Sequence, residues 1–432
     1  MRLKVAYPLL LLALCAGTLG CEVTPEKIQQ WKGIESGPRK LRDAVRNESL
    51  KPEIRSAAAE ALVELALQDD LAQDVKELKP ASQTALLGVL GPRLIETAKG
   101  SDPAAPPSRK QRNAKDALFL LRDAAPGAQH GAVDAALIEW CTVDLTGRQT
   151  AGGHATAKIL KAIGPKAGPA LVKLLKKPGP DFDLAARLLG QIGDEPARNA
   201  GGEVLIDLAR KEKPIKDSTF EALGRVGGAA VVKFLGDIVE RGRDGEEDAR
   251  RALLALQLAP RSEALPLALR AAQNRKNKDT IRHEGLELAR RIGGKAAGEG
   301  AAPVIEDPDL VLGWHAFEVV MATLKGEGVK VGLEKLQLRH LAKKDDLPDF
   351  LVRHVKDHAG KDARPLLIAE LGSKNPAARL AAVVCLAELG TSEDAPALEK
   401  LAGDGTKIRG WPGSATIGPE ARSAVERLKQ KR

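Results

Sequence analysis

His354 and His358 stand four residues apart, which places both imidazoles on one helix face at a spacing that can ligate zinc. The residues between them, Val355-Lys356-Asp357, lack the glutamate that a zinc hydrolase sets beside its first histidine. Arg353, Lys356 and Lys361 would also repel a cation. The expectation is therefore a solvated surface pair, with a metal site as the lesser alternative. No Gly-x-Ser-x-Gly elbow is present, and no phosphate loop ends in Gly-Lys-Ser/Thr. Gly403-Asp404-Gly405-Thr406 is glycine-rich but follows a predicted helix, whereas a dinucleotide loop must follow a strand. The tract 403–418 is expected to be a long turn in which Trp411 covers the end of the core, with a binding loop as the alternative. Trp140 and Trp314 sit in helical runs and are expected in the core, and His315 has no assigned role. No catalytic residue, cofactor or enzymatic activity is expected.

Cysteine chemistry is confined to the N-terminus. Met1-Arg2-Leu3-Lys4 is basic, and the following run from Val5 to Gly20 is uncharged. It falls short of the roughly 20 apolar residues that span a bilayer and ends in small residues, as a cleaved export signal does. Thr18-Leu19-Gly20-Cys21 resembles the lipobox of bacterial lipoprotein signals. The resemblance implies that Cys21 takes diacylglycerol and becomes the mature N-terminus, and that several acyl chains then hold the protein on a membrane. Glu22 is not the Asp that retains many lipoproteins at the inner membrane, so the resemblance points to the outer membrane. Cys141 and Cys385 lie too far apart to pair in a stack where only neighbouring repeats touch, and both are expected to be buried small hydrophobes.

The elements behind these residues are helices. At 432 residues with 43% apolar but only 3% aromatic content, the core must be filled by Ala, Leu, Val and Ile in thin layers. The formal charge of +9, which becomes +7 without Arg2 and Lys4, describes a mixed surface more than a nucleic-acid stripe. Aliphatic residues followed by Gly or Ala recur at Ile163-Gly164, Ile192-Gly193, Val226-Gly227, Leu258-Ala259, Ile292-Gly293 and Leu389-Gly390. The central spacing of roughly 30 to 34 residues suits two helices and two turns. Core stripes are expected at Phe182, Ala185, Leu188, Leu189 and Ile192, and at Ala249, Ala252, Leu253 and Leu256.

Leu41 to Ala66 and Asn375 to Leu401 resemble HEAT repeats of the short kind first noted in phycobilisome lyases. The resemblance implies an all-α, right-handed α-solenoid of antiparallel helix pairs. The expected organisation is a signal (1–20), a lipidated tether (21–38) in which Thr24 caps a short helix, and N-terminal repeats (39–100). A Pro-rich loop (101–109), central repeats (110–293), an irregular helical segment (294–360) and C-terminal repeats (361–432) follow.

In such repeats the second helix lines the inner surface, so Arg187, Arg251 and Arg291, which lie away from the apolar stripes, are candidate partner contacts. Asp183, Glu247 and Glu287 precede them by four residues, so plain intrahelical pairing competes with that reading. Leu380, Val383 and Val384 fall off the core stripe and are expected to form an apolar outer face, covered by the irregular segment or by another protein. Together these expectations describe a membrane-anchored, extracytoplasmic scaffold for a protein partner, without nucleic acid. A lyase-like accessory enzyme and a purely structural envelope lipoprotein are the alternatives.

Overall fold

The computed structural model describes residues 23–431 apart from 103–104, 242–244, 342–346, 361–362, 409–410 and 412–413. The signal segment and Cys21 lie outside the described residues. The described residues form two compact units that divide after Ala197. The first holds α1 (Pro25–Trp31), α2 (Gly37–Arg46), α3 (Pro52–Glu64), α4 (Gln68–Lys76), α5 (Pro80–Lys99), α6 (Arg109–Leu121), α7 (Gly127–Thr142), α8 (Thr156–Ile163), α9 (Gly168–Leu174) and α10 (Phe182–Ile192). Helix α11 (Glu195–Lys211) runs through the division between the units. The second holds α12 (Asp217–Val226), α13 (Ala229–Arg241), α14 (Glu246–Leu258), α15 (Leu265–Gln273), α16 (Asp279–Ile292), α17 (Lys295–Ala301) and α18 (Leu310–Leu324). It continues through α19 (Gly326–Lys335), α20 (Leu338–Leu341), α21 (Leu347–Ala359), α22 (Ala363–Glu370), α23 (Pro376–Leu389), α24 (Ala395–Glu399) and α25 (Ile417–Gln430). The described residues contain no strand beyond one isolated antiparallel bridge, Lys407 to Thr416. The fold is all-α.

Local chemistry explains where the helices start and stop. Pro25, Pro52, Pro80 and Pro376 occupy first-turn positions, where a missing N–H costs nothing. Thr24, Ser108, Asp309 and Asn375 accept hydrogen bonds from the first-turn amides of α1, α6, α18 and α23. All six aliphatic-Gly/Ala steps end a helix, and at Gly164, Gly227 and Gly293 the glycine takes a φ near +70°, which a side chain would resist.

Helices pack against a chain neighbour and also against the helix two places on, as α2 does on α3 and α4, and α14 on α13 and α16. Both expected stripes are buried apart from Ile192, which is only partly covered. Small residues set the spacing between layers: a Cβ on Gly224 of α12 would sit 2.0 Å from the Ala255 carbonyl oxygen of α14. Buried charge ties successive hairpins together. Arg55 and Arg282 each donate Nε to a carbonyl ten residues earlier, Val45 at 2.8 Å and Ala272 at 3.0 Å. Asp74 accepts from Arg42, Asp307 from Arg282, Asp394 from Arg364 and Asp404 from Arg379, each partner lying 25 to 32 residues away.

Two expectations about organisation are corrected. The segment 21–38 is not simply a tether, because α1 packs on α2 and α3 with Ile28 fully buried. The Pro-rich loop 101–109 does not separate one array from another, since α5 and α6 on either side of it pack directly together. Among the described residues, no helix is long and apolar enough to cross a membrane.

Candidate functional site

The exposed faces of α12, α14 and α16 enclose an open groove of about 560 Å³. The packing that buries Ala249, Ala252 and Leu253 turns Arg250, Arg251, Leu254 and Leu258 outward. Phe220, Leu254 and Leu258 give the groove an apolar floor, and Leu258 is 46% exposed. Arg251 and Arg291 both line this groove, as the helix phase implied. Arg187 belongs to α10 in the other unit and is not among its residues.

The intrahelical pairs that competed with partner contact are present, and the wall is charge-balanced. Arg251 Nε lies 3.2 Å from Asp217 and 3.3 Å from Glu247, while Arg291 Nε lies 2.7 Å from Glu287 and its Nη1 reaches the Gln257 carbonyl at 3.5 Å. Arg187 sits 4.0 Å from Asp183. Hydrogen bonds from Arg290, set against a burial that works the other way, and then from Arg291 keep the Glu287 carboxyl below its ordinary range. These exposed pairs are worth about 0.2 to 1 kcal/mol each, so an incoming group could replace them at little cost.

Of the two covers expected for Leu380, Val383 and Val384, the chain itself supplies one. All three are buried in α23, on which α19 and α21 of the irregular segment and α22 of the C-terminal repeats pack. Trp411 is also buried at 9% exposure. It joins the C-terminal core beside Ile408, where the loop closes on the Ile408 N–H to Ala415 carbonyl bond of 3.0 Å. The loop's base is stapled by Arg379, which donates to Asp404 at 3.0 Å and to the Thr406 hydroxyl at 3.0 Å.

His354 is not solvated: it is 9% exposed and packs on Phe350, while His358 stacks beside it at 5.8 Å between ring centres. Among the described residues no three His, Cys, Asp or Glu side chains converge as a metal site would need. Burial pushes the Cys141 and Cys385 thiols up to about 12, which leaves neither as a nucleophilic thiolate at neutral pH. Trp140 and Trp314 are buried.

Two features escaped sequence reasoning. Lys115 and Asp116 of α6 are buried together and pin the segment after α7: Lys115 Nζ donates to the His154 carbonyl at 2.7 Å, and Asp116 accepts from the Gly153 amide at 2.7 Å. Lys115 and Arg148 each lie within 5 Å of the Trp140 ring centre, so the indole is flanked by two cations. The Lys-Asp pair looks in the sequence like ordinary surface charge. The second feature is a contact between His283 and His315, whose spacing of 32 residues matches the repeat period.

No family model matches the sequence. No curated protein matches it. Among solved structures, the chain is similar to an engineered protein at 17% identity and TM-score 0.27, covering 91% of this chain and 99% of that one. It is also similar to Kap121p bound to Ste12p at 14% identity and TM-score 0.35, and to a Kap121p mutant at 13% identity and TM-score 0.36, each over 94% of this chain. The chain spans 45% of these Kap121p chains. Overlap at this level carries no function across, and the fold assignment rests on the helices themselves.

Proposed function

We propose that this protein is a non-catalytic helical-repeat scaffold that binds a protein partner along α12, α14 and α16, and that it is exported and held to a membrane through lipid on Cys21. The observation that carries the binding reading is the groove, where an apolar floor is framed by arginines and carboxylates on rigid helices. Such a surface fits a segment that inserts one or two apolar side chains and presents charges of both signs to Asp217, Glu247, Arg251 and Arg291. The anchor reading is supported by the uncharged run and Gly20-Cys21. Its further reach, an outer-membrane location, rests on Glu22.

The experiment compares proteins crosslinked to wild type and to Leu258→Asp/Arg251→Glu after detergent extraction of membranes. Leu258 is 46% exposed, but Arg251 is ion-paired and its side chain 30% exposed, so retained helix content and melting of the variant are established before its crosslinks are read. The reading expects at least a tenfold loss of a specific crosslinked partner with unchanged circular dichroism. An identical partner set at identical yield would remove the groove as the binding site. Fatty-acid labelling of the same strains should mark wild type and not Cys21→Ala, and equal labelling would remove the anchor.

A further inference from the structure

Five of the chain's seven histidines lie between positions 283 and 358, on helices that pack side by side in the second unit. His283 of α16 and His315 of α18 occupy matching places in successive repeats. Their Nδ1 atoms are 2.9 Å apart, their ring centres 5.2 Å apart, and their planes differ by 19°. The centre separation exceeds the N···N distance by about one ring diameter. The two Nδ1 atoms therefore face each other along the line of centres, with the rings nearly coplanar.

That geometry accommodates a hydrogen and nothing larger. One ring donates Nδ1–H and the other accepts with its Nδ1 lone pair, at an ordinary hydrogen-bond distance. A zinc ion bound by both nitrogens needs about 2.0 to 2.1 Å to each, which cannot fit between lone pairs aimed head-on at this separation. A first added proton goes to the donor ring's Nε2, which leaves the N–H···N bond in place but puts a charge on a half-buried pair that burial disfavours. A second would set N–H against N–H and break it.

Helix α21, which also packs on α18, carries a further buried imidazole. His354 of α21 is buried, and its Nδ1 has no hydrogen-bond partner. A proton added there would create a buried, unpaired donor.

We propose that His283 and His315 form a proton-sensitive clasp between successive repeats, and that with His354 it makes the packing of α18 on α16 and α21 loosen on mild acidification.

The surroundings fix the sign. Burial first, and then the His283 charge and Arg290, hold the His315 imidazole below its ordinary value, while Glu318 and Glu287 pull the other way. For His354 burial again leads downward, opposed by Glu318 and Asp357 and assisted by His358 and Arg353. His340 of α20, against Trp314, is likewise held down by burial and by Arg339. From α14, Arg250 faces Glu284, the neighbour of His283, at 3.9 Å. Imidazoles with lowered folded values bind protons more readily in the unfolded chain. Their contribution is thus intact above the ordinary value of 6.5 and is lost as pH falls below it through the folded values. Glu287 and Asp307 are held below the ordinary carboxylate range and stay ionised there, whereas burial and then Glu334 raise Glu370 of α22, whose protonation works in the opposite sense.

The test uses the full-length protein with ¹⁵N-labelled histidine, in the presence of a chelator. At pH 7.5 one ring of the His283–His315 pair should be protonated at Nδ1 and the other at Nε2. Between pH 7.5 and 5.5, amide exchange in α18 and α21, corrected for intrinsic rate, should rise at least tenfold, with a slope approaching tenfold per pH unit for each proton taken up. Helices α3 and α5 of the first unit should not change. His283→Gln/His315→Gln should flatten the response of α18. If that variant does not fold, the wild-type titration decides by itself. Unchanged exchange at pH 5.5, both rings protonated at Nε2, or stoichiometric zinc moving both Nδ1 signals once chelator is removed would each overturn the clasp.

Discussion

Replacing Arg282 by Met tests whether buried ion pairs, and not apolar layers alone, hold successive repeats together. The guanidinium is 5% exposed and the Asp307 carboxylate 6%. Arg282 donates Nη2 to Asp307 at 2.5 Å, Nη1 at 3.4 Å, and Nε to the Ala272 carbonyl at 3.0 Å. Methionine roughly fills the aliphatic volume but removes all three donors. Asp307 keeps only the Asp309 amide at 3.0 Å and Arg275 Nε at 3.5 Å, itself 68% exposed. Stranding one member of a buried pair costs about 3 to 5 kcal/mol, and the surviving partners place this site at about 3 kcal/mol. The effect must also change with pH. In wild type, burial pushes the Asp307 carboxyl up, but hydrogen bonds from Arg282 and the Asp309 amide outweigh it and hold the group below 3.8. Its contribution is therefore present above the unfolded value and lost as pH falls through the folded one. Without Arg282, burial dominates and the folded value rises above the unfolded one. The variant then gains on wild type as pH drops from 7.5 to 4.5, and the penalty shrinks. Urea titrations followed by hydrogen exchange in α16 measure this locally, because a repeat array does not melt in one step. A penalty under 1 kcal/mol at pH 7.5, or one that does not shrink at pH 4.5, would refute the reasoning.

Gly224→Ala should cost about 1 to 3 kcal/mol, since its Cβ meets a backbone carbonyl at 2.0 Å and α12 and α14 must move apart. Gly236→Ala, whose nearest neighbours are Leu267 methyl groups at 3.4 and 3.7 Å, should be neutral or stabilising through helix propensity. Equal exchange rates in α12 and α14 for both variants would contradict the close approach. Trp411→Ala should cost about 3 kcal/mol locally and make α25 sensitive to limited proteolysis, and an unchanged digestion pattern would show that the ring does not hold the C-terminal core.

Helix ends and core stripes are legible in the residues because they depend on near neighbours: an aliphatic-Gly step, a capping oxygen three residues from its amide, a period of 3.6. For the same reason the sequence assigns Cys141, Cys385, Trp140 and Trp314 to the core, and Arg251 and Arg291 to one surface. Burial on the far side of a helix depends on what arrives there from elsewhere in the chain. Leu380, Val383 and Val384 resemble an open face until α19, α21 and α22 cover them. His354 has a surface spacing, but Phe350 and the packing of α21 enclose it. Charge follows the same division. The arginines of the groove are visible in the sequence, whereas their neutralisation by Asp217, a full repeat away from Arg251, requires the stacking of α12 on α14. The contact between His283 and His315 also needs two repeats to close at one register. A one-dimensional pattern states that spacing, and only the packed helices bring the two nitrogens within hydrogen-bond range.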